Sequence, residues 1–153
     1  YPGIESEERG MSEAIAKNLS LLSNLKTPVI VIITGEGGSG GALAIGIGDH
    51  VCMLEHSIYA VASPEACASI VWRDGSKAKD AAEAMKVDAP NLRNLGLVDE
   101  VIEEPLGGAH RDIRGVSNSI SQVIEKKLQT FEEVDISELL KKRYEKIMSY
   151  GSI

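Results

Sequence analysis

The 153-residue sequence has few aromatic residues, few cysteines, few histidines and no surplus of basic charge. Aromatic residues make up only 4% of the chain, so its core must be built from aliphatic side chains. Two cysteines, Cys52 and Cys67, provide neither a disulfide framework nor a CxxC metal motif. Because both lie in apolar stretches, we expect them to be buried free thiols in a reducing compartment.

Charge and hydropathy argue against two classes of partner. The chain has 16 Lys and Arg against 23 Asp and Glu, a net charge of −7, which is typical of a poor nucleic-acid binder. Its longest strongly apolar run, Val29 to Ile33, is far shorter than the roughly 20 residues that a bilayer span needs. Hydrophobic residues nevertheless make up 43%, which is enough to build a folded core. We therefore expect a globular protein with no nucleic-acid or membrane partner.

The hydrophobic pattern predicts helices and strands that alternate along the chain. Helical spacing covers residues 5–25, 42–48, 65–72, 76–85, 89–95, 113–131 and 136–148, and strands are predicted at 29–33, 50–54, 58–62 and 98–102. The strands at 50–54 and 58–62 are predicted to form a hairpin, with His50 and His56 facing solvent. The composition shifts at residue 111, where two charged amphipathic helices begin.

The most informative segment is Thr34 to Ala42, a glycine-rich turn between a buried strand and a helix. Backbone N–H groups at a helix start favour negative charge, and glycine lets a ligand approach the backbone closely. The pattern Gly35-x-Gly37-x-x-Gly40, with Glu55 twenty residues past Gly35, fits a dinucleotide fingerprint. The short following helix, broken by Gly46 and Gly48, weakens that interpretation.

The same segment fits two other chemistries. Gly37-x-Ser39-x-Gly41 matches a nucleophile elbow, in which Ser39 would act with Asp99 and His110 as a serine hydrolase. Alternatively, the adjacent N–H groups of Gly40 and Gly41 would form an oxyanion hole, which suits the enolate chemistry of acyl-CoA substrates. Spacing alone leaves all three interpretations open.

Five separated blocks of sequence carry a resemblance to one family. They are Tyr1-Pro2-Gly3, Glu7 to Ala16, Gly35 to Leu43, Ser63-Pro64-Glu65-x-Cys67-Ala68-Ser69-Ile70 with Trp72, and Glu104-Pro105-Leu106-Gly107-Gly108-Ala109-His110. Together they resemble the carboxyltransferase alpha subunits of the multi-subunit, bacterial or plastid type of acetyl-CoA carboxylase. The resemblance runs over the whole chain.

The resemblance implies an α/β fold of the ClpP/crotonase type, a superhelix of stacked β-β-α units. Family members have about as much chain again before Tyr1, so residues 1–110 are expected to be an incomplete core from the C-terminal half of a subunit. Residues 111–153 are expected to form a helical extension. The implied reaction transfers a carboxyl group from carboxybiotin to acetyl-CoA, giving malonyl-CoA, the first committed step of fatty acid synthesis.

The resemblance also assigns residues and partners. Gly40 and Gly41 would be catalytic and hold the biotin ureido oxygen, while Gly37 and Gly38 would shape the cofactor-binding turn. No metal is expected in this chain, because the family's zinc ribbon belongs to the beta subunit. Expected partners are that beta subunit, in an alpha2beta2 assembly, the biotin carboxyl carrier protein and the biotin carboxylase, in the cytoplasm or plastid stroma. The alternatives are a Ser39 hydrolase and a non-catalytic assembly subunit.

Overall fold

Short strands alternate with helices along the chain, and the computed structural model describes residues 3–151, without the side chain of residue 45. The strands are β1 (Ile30–Ile33), β2 (Glu36–Gly38), β3 (His50–Leu54), β4 (Ile58–Ala60) and β5 (Glu100–Ile102). The α-helices are α1 (Ile4–Glu8), α2 (Met11–Ser23), α3 (Ser39–Ile45), α4 (Pro64–Trp72), α5 (Ala78–Met85), α6 (Ala89–Asn94), α7 (Ile113–Glu132) and α8 (Ile136–Ser149), and 3₁₀ turns cover Gly75–Lys77 and Ala109–Arg111. No helix in these described residues is long and apolar enough to cross a membrane.

The strands form two parallel sheets that are built from repeated β-β-α units. The first strand of each unit joins one sheet, in the order β1-β3-β5, and the second strands β2 and β4 pair in another. Helix α3 completes the first unit and α4 the second. This is the stacked arrangement that the resemblance implied.

The predicted hairpin between β3 and β4 is wrong. The N–H of Ser57 donates to the carbonyl of Leu54 in a tight turn, and the N–H of Ile58 then donates to the carbonyl of Gly35 at 2.8 Å. Strand β4 is thereby directed onto β2, with Gly37 opposite Tyr59, instead of folding back on β3. Local spacing could not distinguish these outcomes because the partner strand, a glycine-rich triplet, has little strand propensity.

The central strand β3 is buried on both faces, as expected for a strand inside a parallel sheet. Val51 and Met53 pack on one side with residues of β1 and α6, while Cys52 and Leu54 pack on the other against Val116 of α7. His50, predicted to face solvent, is only 7% exposed because it begins this strand and points to the α7 side. His56 is exposed, as predicted.

Other sequence predictions need correction at the ends of elements. The single helix predicted over residues 5–25 is broken between α1 and α2, because Gly10 adopts a left-handed conformation with φ of 81°. The predicted turn over residues 35–41 contains strand β2, and α3 begins at Ser39. Cys67, which we expected to be buried, is half-buried. The buried position of α4 is taken by its neighbour Ala68.

Helix α8 is fixed to the body of the protein by one buried arginine. The side chain of Arg143 is 0% exposed and forms an ion pair with Asp49, which is 4% exposed, at 2.7 Å. Its guanidinium also donates to the carbonyls of Leu22, Leu25 and Thr27, which follow one another at and beyond the end of α2. The Oδ2 atom of Asp49, which pairs with Arg143, also accepts the N–H of Val29 at 2.7 Å. The C-terminal helices therefore pack on this chain's own core; their division from it at residue 110 stays a prediction.

Substituting Arg143→Met should destabilise the chain strongly. The change leaves Asp49 buried without its cation, and losing one partner of such a pair costs about 3–5 kcal/mol. Lys142→Met is the matched control, since Lys142 pairs with Glu138 at the surface, where ion pairs contribute less than about 1 kcal/mol. Urea unfolding followed by circular dichroism measures both. Equal unfolding midpoints for the two variants would contradict the assigned role of Arg143.

Candidate functional site

The glycine-rich segment reverses direction between β2 and α3 without an intervening loop. Gly38 is extended, with φ of −138°, and Ser39 adopts a left-handed conformation, with φ of 57°, as the first residue of the helix. A left-handed conformation at a non-glycine residue costs on the order of 1 kcal/mol, so the surrounding strand pairing must hold it. The reversal places the first turn of α3 at the surface directly after the strand.

Gly40 and Gly41 lie in that first turn, where the N–H groups of a helix have no partner within the helix. These N–H groups point along the helix axis and carry the positive end of its dipole. A Cβ atom built on Gly41 would meet nothing within 4 Å, and one on Gly40 would meet only Ile15, at 4.0 Å. The space over Gly41 is therefore open to a ligand atom.

A groove of about 440 Å³ lies along the strand side of the glycine-rich segment, and its lining includes Gly37, Gly38 and Ala42 but not Gly40 or Gly41. Its walls come from β1, β2, α3 and Tyr59. The ring of Tyr59 takes the space that side chains at Gly37 and Gly46 would occupy, and its hydroxyl lies 3.4 Å from the carbonyl of Ala42, to which it donates. Burial raises the pKa of the Tyr59 hydroxyl, so the hydroxyl stays protonated as a donor.

Tyr59 is a site residue that sequence reasoning missed. It contacts the glycine-rich segment because β2 and β4 pair with Gly37 opposite Tyr59. Since residues 36–38 were predicted as a turn, no pairing partner for residue 59 could be read from the sequence. A lone tyrosine in a short strand gives no other local signal.

The serine hydrolase interpretation lacks its partners. Ser39 has the strained strand-to-helix position of a nucleophile elbow. Asp99, however, accepts the N–H of Val51 at the amino end of β3 and pairs with Lys146. Ser39 instead directly follows the carboxyl end of β2. His110 is exposed in a 3₁₀ turn, and no hydrogen bond within residues 3–151 joins it to Ser39 or Asp99.

The dinucleotide interpretation also fails on geometry. Strand β2 separates Gly35 from the helix, so the three fingerprint glycines do not form one turn at a helix start. The carboxylate of Glu55 accepts the N–H of Glu104 at 3.1 Å, which ties β3 to the segment after β5. The Glu55 carboxylate thus has a structural role between these two segments.

A family model described as "Acetyl co-enzyme A carboxylase carboxyltransferase-like" matches residues 1–151. The chain belongs to this family. An alpha subunit of acetyl-coenzyme A carboxylase carboxyl transferase from Vibrio cholerae serotype O1 is 56% identical over 151 residues, which are 99% of this chain and 47% of that relative. The relative from Photobacterium profundum has the same identity and coverage. The chain thus spans about half the length of the curated relatives it matches.

Solved structures confirm the α/β fold of the crotonase type. A Pseudomonas malonate decarboxylase hetero-tetramer in complex with coenzyme A superposes with a TM-score of 0.71 at 18% identity, over 93% of this chain and 56% of that one. An enoyl-CoA hydratase/isomerase from Marinobacter aquaeolei gives 0.58 at 16% identity, over 100% of this chain and 56% of that one. At such identities the likeness concerns the fold alone.

The packing of Tyr59 predicts different costs for alanine at two neighbouring glycines. Gly37→Ala would bring a Cβ to 2.8 Å from Cδ2 of Tyr59, so the ring must shift and stability should fall by about 1–3 kcal/mol. Gly38→Ala adds a methyl in open space on extended backbone and should change stability by less than about 0.5 kcal/mol. Chemical unfolding measures both; a larger loss at Gly38 would contradict this packing.

Proposed function

We propose that this chain forms part of a carboxyltransferase that moves a carboxyl group from carboxybiotin to acetyl-CoA, giving malonyl-CoA. Membership of the family across residues 1–151 supports the reaction class. The observation that carries the proposal is the position of Gly40 and Gly41 in the first turn of α3, with open space where a side chain on Gly41 would lie. Backbone donors in that position stabilise an oxyanion without any acidic or basic side chain.

The open space over Gly41 fits the ureido oxygen of biotin. A planar ring can approach the backbone there because a Cβ would meet nothing within 4 Å. Carboxybiotin, when bound, supplies the carboxyl group. The N–H groups of Gly40 and Gly41 would donate to its ureido oxygen, and those hydrogen bonds strengthen as negative charge develops there. Loss of one donor of this kind raises a barrier by about 2.7–4 kcal/mol.

The other residues of the segment would hold those donors in place. Tyr59 fills the space beside Gly37 and Gly46 and donates to Ala42 inside α3, which fixes the helix against β4. Donors that are fixed before the reaction do not have to reorganise while charge develops. In this proposal Gly37 and Gly38 keep the turn-shaping role that the resemblance assigned, and the close approach of Tyr59 supports it at Gly37.

The site needs enclosure from outside the described residues. Gly41 is exposed, and hydrogen bonds to a developing charge are strongest where water is excluded. Helix α4 and its flanks expose apolar side chains that include Val61, 80% exposed, and Ile70, 76% exposed. Apolar surface of this kind is typical of interaction sites.

The proposal includes three partners. The beta subunit and the biotin carboxyl carrier protein dock around the site, and biotin carboxylase recharges the biotin. The complex works in the cytoplasm.

Gly41→Val tests the oxyanion hole. The valine side chain would occupy the space proposed for the biotin ring, so turnover should fall by about 10²–10³-fold. Stability should stay unchanged, because a Cβ on Gly41 meets no neighbour. The assay joins the full-length subunit to its beta partner, adds malonyl-CoA and biocytin, and follows release of acetyl-CoA.

Gly3→Val is the control, since it also adds a valine where a Cβ meets nothing within 4 Å, although Gly3 lies on extended backbone before α1. It should keep wild-type turnover. Normal turnover in Gly41→Val would remove the oxyanion role from this turn. No biotin-dependent release from the assembled wild-type complex would remove the reaction itself.

Ser39→Gly separates carboxyl transfer from hydrolysis. Glycine accepts the left-handed conformation without the cost that serine bears, so the variant should be as stable as the wild type or more stable by on the order of 1 kcal/mol. The change removes the hydroxyl but keeps the backbone donors, so carboxyl transfer should stay within about threefold of wild type. A hundredfold loss in a fully folded variant would instead favour Ser39 as a nucleophile.

A further inference from the structure

His50, Cys52 and Glu100 form a cluster at the amino ends of β3 and β5, away from the glycine-rich segment. His50 and Cys52 lie two residues apart on one face of β3, and Glu100 is the register partner of Cys52 on β5. One ligand atom from each of the three lies within 4.8 Å of the others. His50 Nε2 and Glu100 Oε2 are only 3.1 Å apart.

We infer that His50, Cys52 and Glu100 bind a zinc ion. Thiolate, imidazole and carboxylate together are a donor set that suits Zn²⁺, with metal–ligand distances of about 2.0–2.3 Å. Tetrahedral coordination at those lengths places ligand atoms roughly 3.3–3.7 Å apart. The cluster needs only small side-chain movements to reach that spacing.

The surroundings of His50 support a metal ligand. Its Nε2 faces Glu100, and its Nδ1 faces a second carboxylate, Asp99, at 3.7 Å. A histidine that binds zinc through one nitrogen commonly directs the other to a carboxylate, which orients the ring. Asp99 is itself held by the N–H of Val51 and by Lys146. The second carboxylate is therefore fixed in place.

Burial and charge fit a neutral zinc site with one open position. Cys52 is 0% exposed, and the Glu100 side chain is 32% exposed, so water reaches the cluster on one side and can complete the coordination. When zinc binds, the Cys52 thiol loses its proton to solvent as the S–Zn bond forms. Zn²⁺ with one thiolate and one carboxylate has no net charge, so the nearby Lys127 repels it little.

The site would join β3 to β5 beneath α7, and it is independent of the proposed carboxyl transfer. The sequence does not mark this cluster, because Glu100 lies 50 residues from His50 and the three residues share no local ligand spacing. Only the parallel pairing of β3 with β5 brings the three residues together.

The test measures zinc in the full chain without other subunits, because the resemblance places a zinc ribbon on the beta subunit. Protein stripped with a chelator and dialysed against zinc should retain one zinc per chain by elemental analysis, and its melting temperature should rise. Cobalt in place of zinc should give a thiolate-to-metal charge-transfer band. Less than a tenth of an equivalent of zinc, or cobalt without that band, would overturn the inference.

Variants assign the ligands. Cys52→Ala and Glu100→Gln should each weaken zinc binding by at least about 100-fold, since even indirect partners of a metal are worth 10–100-fold. Cys67→Ala and Glu103→Gln are the matched controls outside the cluster and should bind zinc as the wild type does. If Cys52→Ala fails to fold, Glu100→Gln decides, because Glu100 is half-exposed. Wild-type binding in that variant would overturn the site.

Discussion

The buried ion pair between Arg143 and Asp49 ties the last helix, α8, to the core of the chain. All five N–H donors of the guanidinium are used, three on the carbonyls of Leu22, Leu25 and Thr27 and two on the carboxylate of Asp49. Carbonyls at and beyond a helix end have no partner in the helix, and a lysine has too few donors to serve this set. One side chain thus fixes the end of α2, the approach to β1 and the start of β3 to α8.

That constraint extends to the glycine-rich segment through backbone elements. Asp49 also accepts the N–H of Val29, so the segment leading into β1 and the residue just before β3 share one carboxylate. Strand β1 then leads through β2 into α3, and α2 packs beside α3 with Ile15 next to Gly40. The first turn of α3 therefore has support from both sides, from α2 and from Tyr59. A site made of backbone donors requires such support, because no side chain is available to correct the position of an N–H group.

Residue patterns predicted the elements better than their pairing. The β-branched run before residue 34 and the Ser63-Pro64 helix start have local causes, and the structure contains β1 and α4 there. Strand β2 was missed because glycines do not favour strands, and it exists only because β4 pairs with it. The burial of His50 and Arg143 was also beyond local reasoning. Arg143 and Asp49 are 94 residues apart, and nothing in the helical pattern of residues 136–148 marks one cation as buried.

The glycine-rich segment explains why sequence motifs alone left three chemistries open. Dinucleotide binding, a nucleophilic serine and an oxyanion hole all need the backbone to turn sharply from a strand into a helix, so they share glycine spacing. The left-handed Ser39 follows from that turn and requires no catalytic role for its hydroxyl. What distinguishes the chemistries is the surrounding structure: Asp99 lies with Lys146 at the amino end of β3, Glu55 is bound to Glu104, and the space over Gly41 is open. Of the three chemistries, only the proposed oxyanion hole needs no partner side chain, since backbone N–H groups alone can form it.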